Sequence, residues 1–368
     1  MAPARFNLQE VSFSRLFPLE VARALAGSLT QATAYTHSQG YAHGDIHLRN
    51  VLVKLPLSFD RLSIEKLYEE YGEPKTVNIT ERNGKPLPQN IAPKAVLPLY
   101  LGKDAEEFSL SDMRVILSDF GEAFSLEAGR PGKDCCSPLA MHPPEARFEP
   151  QVALSYSADI WSLAVAIWEI LGMKAIFSSE FTTADEMVSN HIDVLGPMPL
   201  SWWDAWEERS QFFNGDGHPK EGRHVWLPMN EAFEEGVQKY RRKSTRVDEF
   251  SREETVAILE LMRRMLAFRP EDRPTAEEVL QSEWMGKWVC LISKEVYPRN
   301  NMIDGGELNF GTSLRNLSED ANDVRVPFTV YPTEAERPLI RWLRTRGIIK
   351  VIRKWQKEQD VTSLYAGD

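Results

Sequence analysis

A chain of 368 residues with 42% hydrophobic and 26% charged side chains has ordinary globular composition, enough for one large domain or two smaller ones. Its formal net charge of -11 argues against nucleic acid as a direct partner and favours basic ligands or basic peptides. Three cysteines (Cys135, Cys136 and Cys290) form neither a disulfide framework nor a zinc pattern, which fits a reducing compartment, and the opening MAPARFNLQE lacks the apolar core of a signal peptide.

In chain order, residues 17–40 (FPLEVARALAGSLTQATAYTHSQG) have helical apolar spacing, with Pro18 at the start and Gly40 at the stop. YAHGDIHLRN (41–50) reads as a polar loop and NVLVKL (50–55) as a short strand. Residues 56–114 are mixed and punctuated by proline, with one helical piece, SIEKLYEEYG (63–72). They read as an insertion held between two strands. The second strand is MRVILSDFGE (113–122), an apolar run ending on Asp119. Helical patterns then dominate: SADIWSLAVAIWEILG (157–172), TADEMVSNHIDVLG (183–196), PMNEAFEEGVQKYRRK (228–243), SREETVAILELMRRML (251–266) and TAEEVLQSEWM (275–285). The most apolar stretch, IWSLAVAIWEILGMKAIF (160–177), carries Glu169 and Lys174 and is too short and too charged to span a bilayer, so it reads as a buried core helix. The chain is expected to divide into a domain over 1–290 and an extension over 291–368, the latter with a basic amphipathic segment at 337–357 that docks on the chain's own acidic surface or on a membrane.

The chemistry concentrates in the decapeptide. His43, Asp45 and Asn50 stand at the H-x-D-x-x-x-x-N spacing used by kinase catalytic loops. Phosphoryl transfer needs a carboxylate to orient and deprotonate the acceptor hydroxyl, and oxygen ligands for the ion that neutralises the phosphates. Asp45 is placed for the first task, and Asn50 with Asp119 for holding Mg²⁺. Further signals follow in order: DFG (119–121), PPEARF (143–148) in the place of the A-P-E motif, SADIWSLAVAIWEIL and RPEDRPTAEEVLQSEWM.

On these motifs the sequence resembles the protein kinases over roughly residues 15–290, and among them the SR-protein kinases in a fungal-type form. The resemblance implies an α+β protein-kinase-like fold with a mainly helical C-terminal lobe, ATP and Mg²⁺ as cofactors, and transfer of phosphate to serines of Arg/Ser-rich proteins such as splicing factors. It also implies a monomer of cytoplasm and nucleus, with no direct nucleic-acid contact and no transmembrane segment. It gives structural roles to His43, Gly121, Glu145, Asp159 and Arg273: Asp159 secures the catalytic-loop backbone and Arg273 pairs with Glu145. It places Glu186 and Asp193, seven apart on one helix face, in an acidic groove that docks basic substrate.

Three departures qualify the resemblance. Gly44 replaces the arginine that grips a phosphorylated activation loop, so a phosphate switch of that kind is not expected. His47 replaces the lysine that contacts the γ-phosphate, and Arg49 stands where tyrosine kinases place an equivalent cation. No G-x-G-x-x-G followed by a strand and a V-A-I-K lysine occurs in the chain, so the N-terminal β lobe is expected to be largely absent and turnover weak or nil. HGDIHLRN also resembles the loop of aminoglycoside and choline kinases, the rival enzyme class, and a peptide-binding pseudokinase is the non-enzyme alternative. A zinc site on His43 and His47 is disfavoured because Gly44 argues for a loop where such pairs sit on a helix.

Overall fold

The computed structural model describes residues 4–289, apart from 11–15, 56–58, 81–86, 98–100, 102, 114 and 178–181; the expected extension over 291–368, with its basic stretch, lies outside the described residues. Strand β1 (Ala4–Asn7) leads into helix α1 (Leu19–Ser38). Pro18 sets the entry to α1, and Gly40 takes a positive φ of 83° just past its end. Val21, Ala22, Leu25, Ala26, Leu29 and Ala32 are buried, and so are Thr30, Thr33 and Thr36. Each of these threonines donates its hydroxyl to the carbonyl four residues earlier, at 2.8–3.0 Å. Their polarity is thereby satisfied inside the helix, and α1 can be buried on nearly every side.

Two short ladders follow. Strand β2 (Tyr41–Ala42) precedes the loop 43–50, and β3 (Val51–Lys54) leaves it. The insertion comes next, with α2 (Ile64–Tyr71, capped by Ser63) and a hairpin of β4 (Thr76–Asn78) and β5 (Lys94–Val96). No residue of α2 is buried. Strand β6 (Val115–Leu117) then pairs antiparallel with β3 in the register Val51↔Leu117, completing a sheet of order β1-β3-β6. Beyond it β7 (Phe124–Ser125) pairs with β2 through Ala42↔Phe124. The two ladders clamp residues 43–50 against 118–123 from both ends.

The helical body is built around α4 (Tyr156–Leu171), preceded by the short α3 (Pro144–Phe148). Every residue of α4 from Ala158 to Leu171 is buried. The N-terminus of α4 is capped by Ser155, whose Oγ accepts from the Ser157 N–H at 3.2 Å. Helices α5 (Ala184–Leu195), α6 (Leu200–Ala205), α7 (Arg209–Phe212) and α8 (Met229–Phe233) follow. The pattern 228–243 predicts one helix, but a π turn at Glu234–Gln238 separates α8 from α9 (Lys239–Lys243). The Gly236 carbonyl inside that turn accepts from the Met173 and Lys174 N–H groups at 3.0 and 3.3 Å, so it is diverted from a regular helical ladder. Helices α10 (Arg252–Met265) and α11 (Ala276–Leu280) close the body, and α11 stops before a final π turn at Met285–Val289. Among the described residues no helix is long and apolar enough to cross a membrane.

Two buried ion pairs lock this body. Arg23 of α1 forks onto Glu254 of α10 at 2.8 and 2.6 Å, and Trp284 Nε1 donates to the same carboxylate at 3.1 Å. Arg273 forks onto Glu145 of α3 at 2.8 and 2.6 Å. Its remaining N–H capacity goes to the carbonyls of Ala267, Ser157 and Phe268 at 2.8, 3.0 and 2.9 Å, so all five donors are used. Its guanidinium also lies over the Trp161 ring. We predict that Arg273→Ala costs about 3–5 kcal/mol, because Glu145 is left as an uncompensated buried charge. Thermal unfolding should then fall by on the order of 10 °C. Arg273→Lys should recover little, since an ammonium has three donors and no fork. An unchanged melting curve for Arg273→Ala would refute the locking role.

Candidate active site

The loop 43–50 hangs from one buried carboxylate. Asp159, at the start of α4, accepts from the His43 N–H at 2.6 Å and from His37 Nε2 at 2.9 Å on one oxygen, and from the Gly44 N–H at 2.8 Å on the other. Burial pushes its pKa up, but His37, His43 and the Gly44 N–H outweigh that, and the net shift is downward. The His43 ring completes the link. Its Nε2 meets the Ser118 carbonyl at 3.1 Å, and its Nδ1 accepts from the Asp45 N–H at 3.3 Å. This assigns the neutral tautomer protonated on Nε2, in accord with a pKa lowered chiefly by burial. The ring packs on Phe120 with centroids 4.6 Å apart.

Gly44 has a φ of 76°, and a Cβ there would meet the Glu122 carbonyl oxygen at 2.7 Å, so no side chain fits. The nearest cation is Arg130, which donates to the Glu122 carbonyl and to the Glu122 carboxylate, both at 2.6 Å.

Asp45, His47 and Asn50 come together in the loop. Asn50 Nδ2 donates to the Asp45 carbonyl at 2.9 Å and to Asp45 Oδ2 at 3.0 Å. Asp45 Oδ1 lies 3.3 Å from His47 Nε2, yet it accepts no well-aligned hydrogen bond. For the Asp45 carboxyl, burial acts upward while His47 and Asn50 act downward, and the net effect keeps it ionised. The Asn50 backbone carbonyl accepts from both the N–H and the hydroxyl of Ser118, at 2.8 and 2.9 Å, which sets the neighbouring Asp119 beside the loop. Asp119 takes a left-handed φ of 64° and ψ of 66°, and among the described residues no other non-glycine residue has a positive φ. Strain of this kind concentrates where geometry serves function. A Cβ on Gly121 would approach Asp119 Oδ1 to 3.2 Å, so the Asp119 carboxylate would have to give way by a few tenths of an ångström.

Among the described residues, no group of three His, Cys, Asp or Glu side chains could hold a metal unaided. Asn50 and Asp119 supply a partial set of hard oxygens, and among the described residues Asn50 Oδ1 accepts no hydrogen bond. Such a set suits Mg²⁺, which takes few protein ligands and completes its shell with phosphate and water.

The expected site residues do not all converge. Arg49 is exposed and makes no hydrogen bond among the described residues. Glu186 is exposed on α5, but its carboxylate turns back to cap its own helix, accepting from the Thr183 N–H at 2.7 Å. Asp193 does not offer a free carboxylate, contrary to its expected docking role. Arg223 forks onto it at 2.7 Å through both nitrogens, the Trp226 N–H adds 3.1 Å, and its side chain is 2% exposed. The seven-residue spacing could not show this, because Arg223 arrives from an irregular segment between α7 and α8.

Since the Asp159 pKa is depressed in the folded state, its contribution is present above its ordinary value of 3.8 and is lost as pH falls through the folded value. Asp159→Asn should therefore destabilise by about 3–5 kcal/mol at pH 7 and flatten the acid limb of stability below about pH 4. Urea unfolding from pH 3 to pH 7 reads both effects; an acid limb as steep in the variant as in the parent would refute the linkage.

Residues 106–285 match the family model of the protein kinase domain; the loop 43–50 precedes that range, separated from it by the insertion. A serine/threonine protein kinase of Aspergillus fumigatus (strain CBS 144.89 / FGSC A1163 / CEA10) is 24% identical over 174 residues, covering 46% of this chain and 40% of the relative. Its counterpart in strain ATCC MYA-4609 / CBS 101355 / FGSC A1100 / Af293 matches equally. The serine/threonine-protein kinase SRPK of Physarum polycephalum is 27% identical over 134 residues, covering 34% of this chain and 29% of the relative. The match thus spans less than half the length of these relatives. The mainly helical α+β fold is protein-kinase-like: its residues 106–285 match the protein kinase domain, with weak similarity to serine/threonine protein kinases.

Proposed function

We propose that this chain is a serine/threonine protein kinase of the SR-protein kinase type, acting on serines in Arg/Ser-rich protein segments. The observation that carries the reading is the 3.0 Å hydrogen bond from Asn50 Nδ2 to Asp45 Oδ2, which joins the two side chains and leaves Asp45 Oδ1 buried but without a hydrogen-bond partner. Asp45 Oδ1 takes the hydrogen bond of the acceptor hydroxyl, turns its oxygen toward the phosphorus and receives the proton as the new bond forms. Asn50 Oδ1 and the Asp119 carboxylate would hold Mg²⁺ with ATP, the complex that supplies the phosphoryl group and neutralises its charge. His47 approaches Asp45 rather than standing free, so it places any positive charge on the acceptor side.

The Arg/Ser preference rests on the net charge of -11 and on similarity to the Physarum kinase. It does not rest on Asp193, which Arg223 occupies. The small-molecule kinase reading of HGDIHLRN fares worse, because the Glu145–Arg273 pairing and the matched family model favour a protein kinase.

Incubation of the chain with ATP, Mg²⁺ and an Arg-Ser peptide should give phosphoserine at a low rate. Asp45→Ala and Asp119→Ala should each lower the rate by at least about 10²-fold, the scale of acid–base and charge-stabilising contributions. Full activity in either variant would overturn the assignment. Since no glycine-rich loop or V-A-I-K lysine occurs in the sequence, calorimetric titration should show ATP·Mg²⁺ binding weaker than micromolar. Micromolar affinity would contradict this, whereas peptide binding with no turnover at any concentration would support the pseudokinase reading instead.

A further inference from the structure

The insertion between β3 and β6 leaves apolar surface uncovered. Of the thirteen large hydrophobic side chains exposed among the described residues, six (Ile64, Tyr68, Val77, Ile91, Val96 and Leu97) belong to it. Helix α2 concentrates the pattern. Ile64, Leu67, Tyr68 and Tyr71 stand at i, i+3, i+4 and i+7, which is one face of a helix. Ile64 is 65% exposed and Tyr68 40%, although a stripe of this kind ordinarily lies against a core. Phe59 packs at one end of it, with ring centroids 5.9 Å from Tyr71. Glu65 and Glu69 flank the stripe on one side and Glu70 on the other, all three exposed, while the helix carries a single cation, Lys66.

One segment of the chain repeats this pattern with the charge reversed. Ile348, Val351, Ile352 and Trp355 have the same i, i+3, i+4 and i+7 spacing as the four apolar positions of α2. Where α2 carries Glu69 and Glu70 at i+5 and i+6, that segment carries Arg353 and Lys354. The stretch around it, 337–357, holds eight cations and no acid. We propose that α2 is a docking surface for residues 348–355 of the same chain, whose apolar positions lie along its stripe and whose cations sit beside its carboxylates. Covering the stripe takes apolar side chains out of water, and the opposite charges choose this occupant over another copy of α2, whose carboxylates would repel. The distance allows it. The described residues end at Val289, which packs on Gly27 of α1. Between Val289 and Ile348 lie 58 residues. A flexible chain of that length covers on the order of 40 Å end to end, about twice the radius of gyration of such a body. The docking does not rest on the kinase reading. It places the segment on the insertion that leaves the loop 43–50 through β3 and returns toward Asp119 through β6.

The intact chain, as an equal mixture of isotopically light and heavy protein, is treated with a zero-length carbodiimide, and linked peptides are read by mass spectrometry. The reagent joins a lysine to a carboxylate in contact with it. Lys350, Lys354 or Lys357 should link to Glu65, Glu69 or Glu70 within chains of one isotope. Links made preferentially to other carboxylates overturn the proposal. Links that mix the isotopes assign the surface to a second copy and overturn it as well. No links, with the chain sedimenting on phosphatidylserine vesicles, assigns the segment to a lipid surface; no links without sedimentation refutes the docking outright. Ile64→Gln combined with Tyr68→Gln keeps every carboxylate and should lower the yield about fivefold. Both side chains are exposed, so the variant is expected to fold. An unchanged yield in it refutes the apolar contact. Should it fail to fold, the parent decides: a yield that falls between 0.1 M and 1 M NaCl supports the charge matching, and one indifferent to salt refutes it.

Discussion

The site depends on how one buried charge is satisfied. Asp159 is 1% exposed, and taking a carboxylate so far from water costs several kcal/mol unless donors replace the solvent. Two of its three donors are consecutive backbone N–H groups of the loop, those of His43 and Gly44. The carboxylate is compensated only when the loop takes one conformation. That conformation points the His43 ring at Ser118 and, through the neighbouring residue, sets Asp119 beside Asn50. Since α4 is buried along nearly its whole length, the loop is referred to the most rigid element of the body.

The sheet plays a smaller part than its position suggests. Strands β2 and β7 are only two residues each, and alone they would be marginal. They hold because the segments they join are pinned elsewhere: 43–44 to Asp159, 122 to Arg130, and 145 to Arg273. The left-handed Asp119 costs on the order of 1–3 kcal/mol. It persists because Ser118 on one side is held by the Asn50 carbonyl and Phe120 on the other packs on His43.

Local patterns in the sequence carried much of this. Pro18 and Gly40 bracketed α1, the apolar run 160–171 marked α4, and the spacing of His43, Asp45 and Asn50 marked the loop. Each signal acts within a few residues, where propensity and capping operate. What stayed hidden depends on partners distant in sequence. Strand β1 has four residues and a single buried one, and it exists because β3 offers it an edge. The π turn at Gly236 follows from two N–H groups near residue 173 that need a carbonyl. Arg49 looked equivalent to a catalytic cation by position, yet its side of the loop faces solvent.

Gly44 removes more than a regulatory arginine. The chain passes so close to the Glu122 carbonyl that a Cβ would collide, so the loop and the following segment touch backbone to backbone. Arg130 then closes the gap from the segment's own side, bridging the carbonyl and carboxylate of Glu122 and lying over the Phe124 ring. A phosphate brought to this place would have to compete with a carboxylate already bound at 2.6 Å, for a cation that also satisfies a backbone oxygen. Such a segment is anchored by groups it carries itself. Its order then depends on how tightly residues 122–145 pack on the loop.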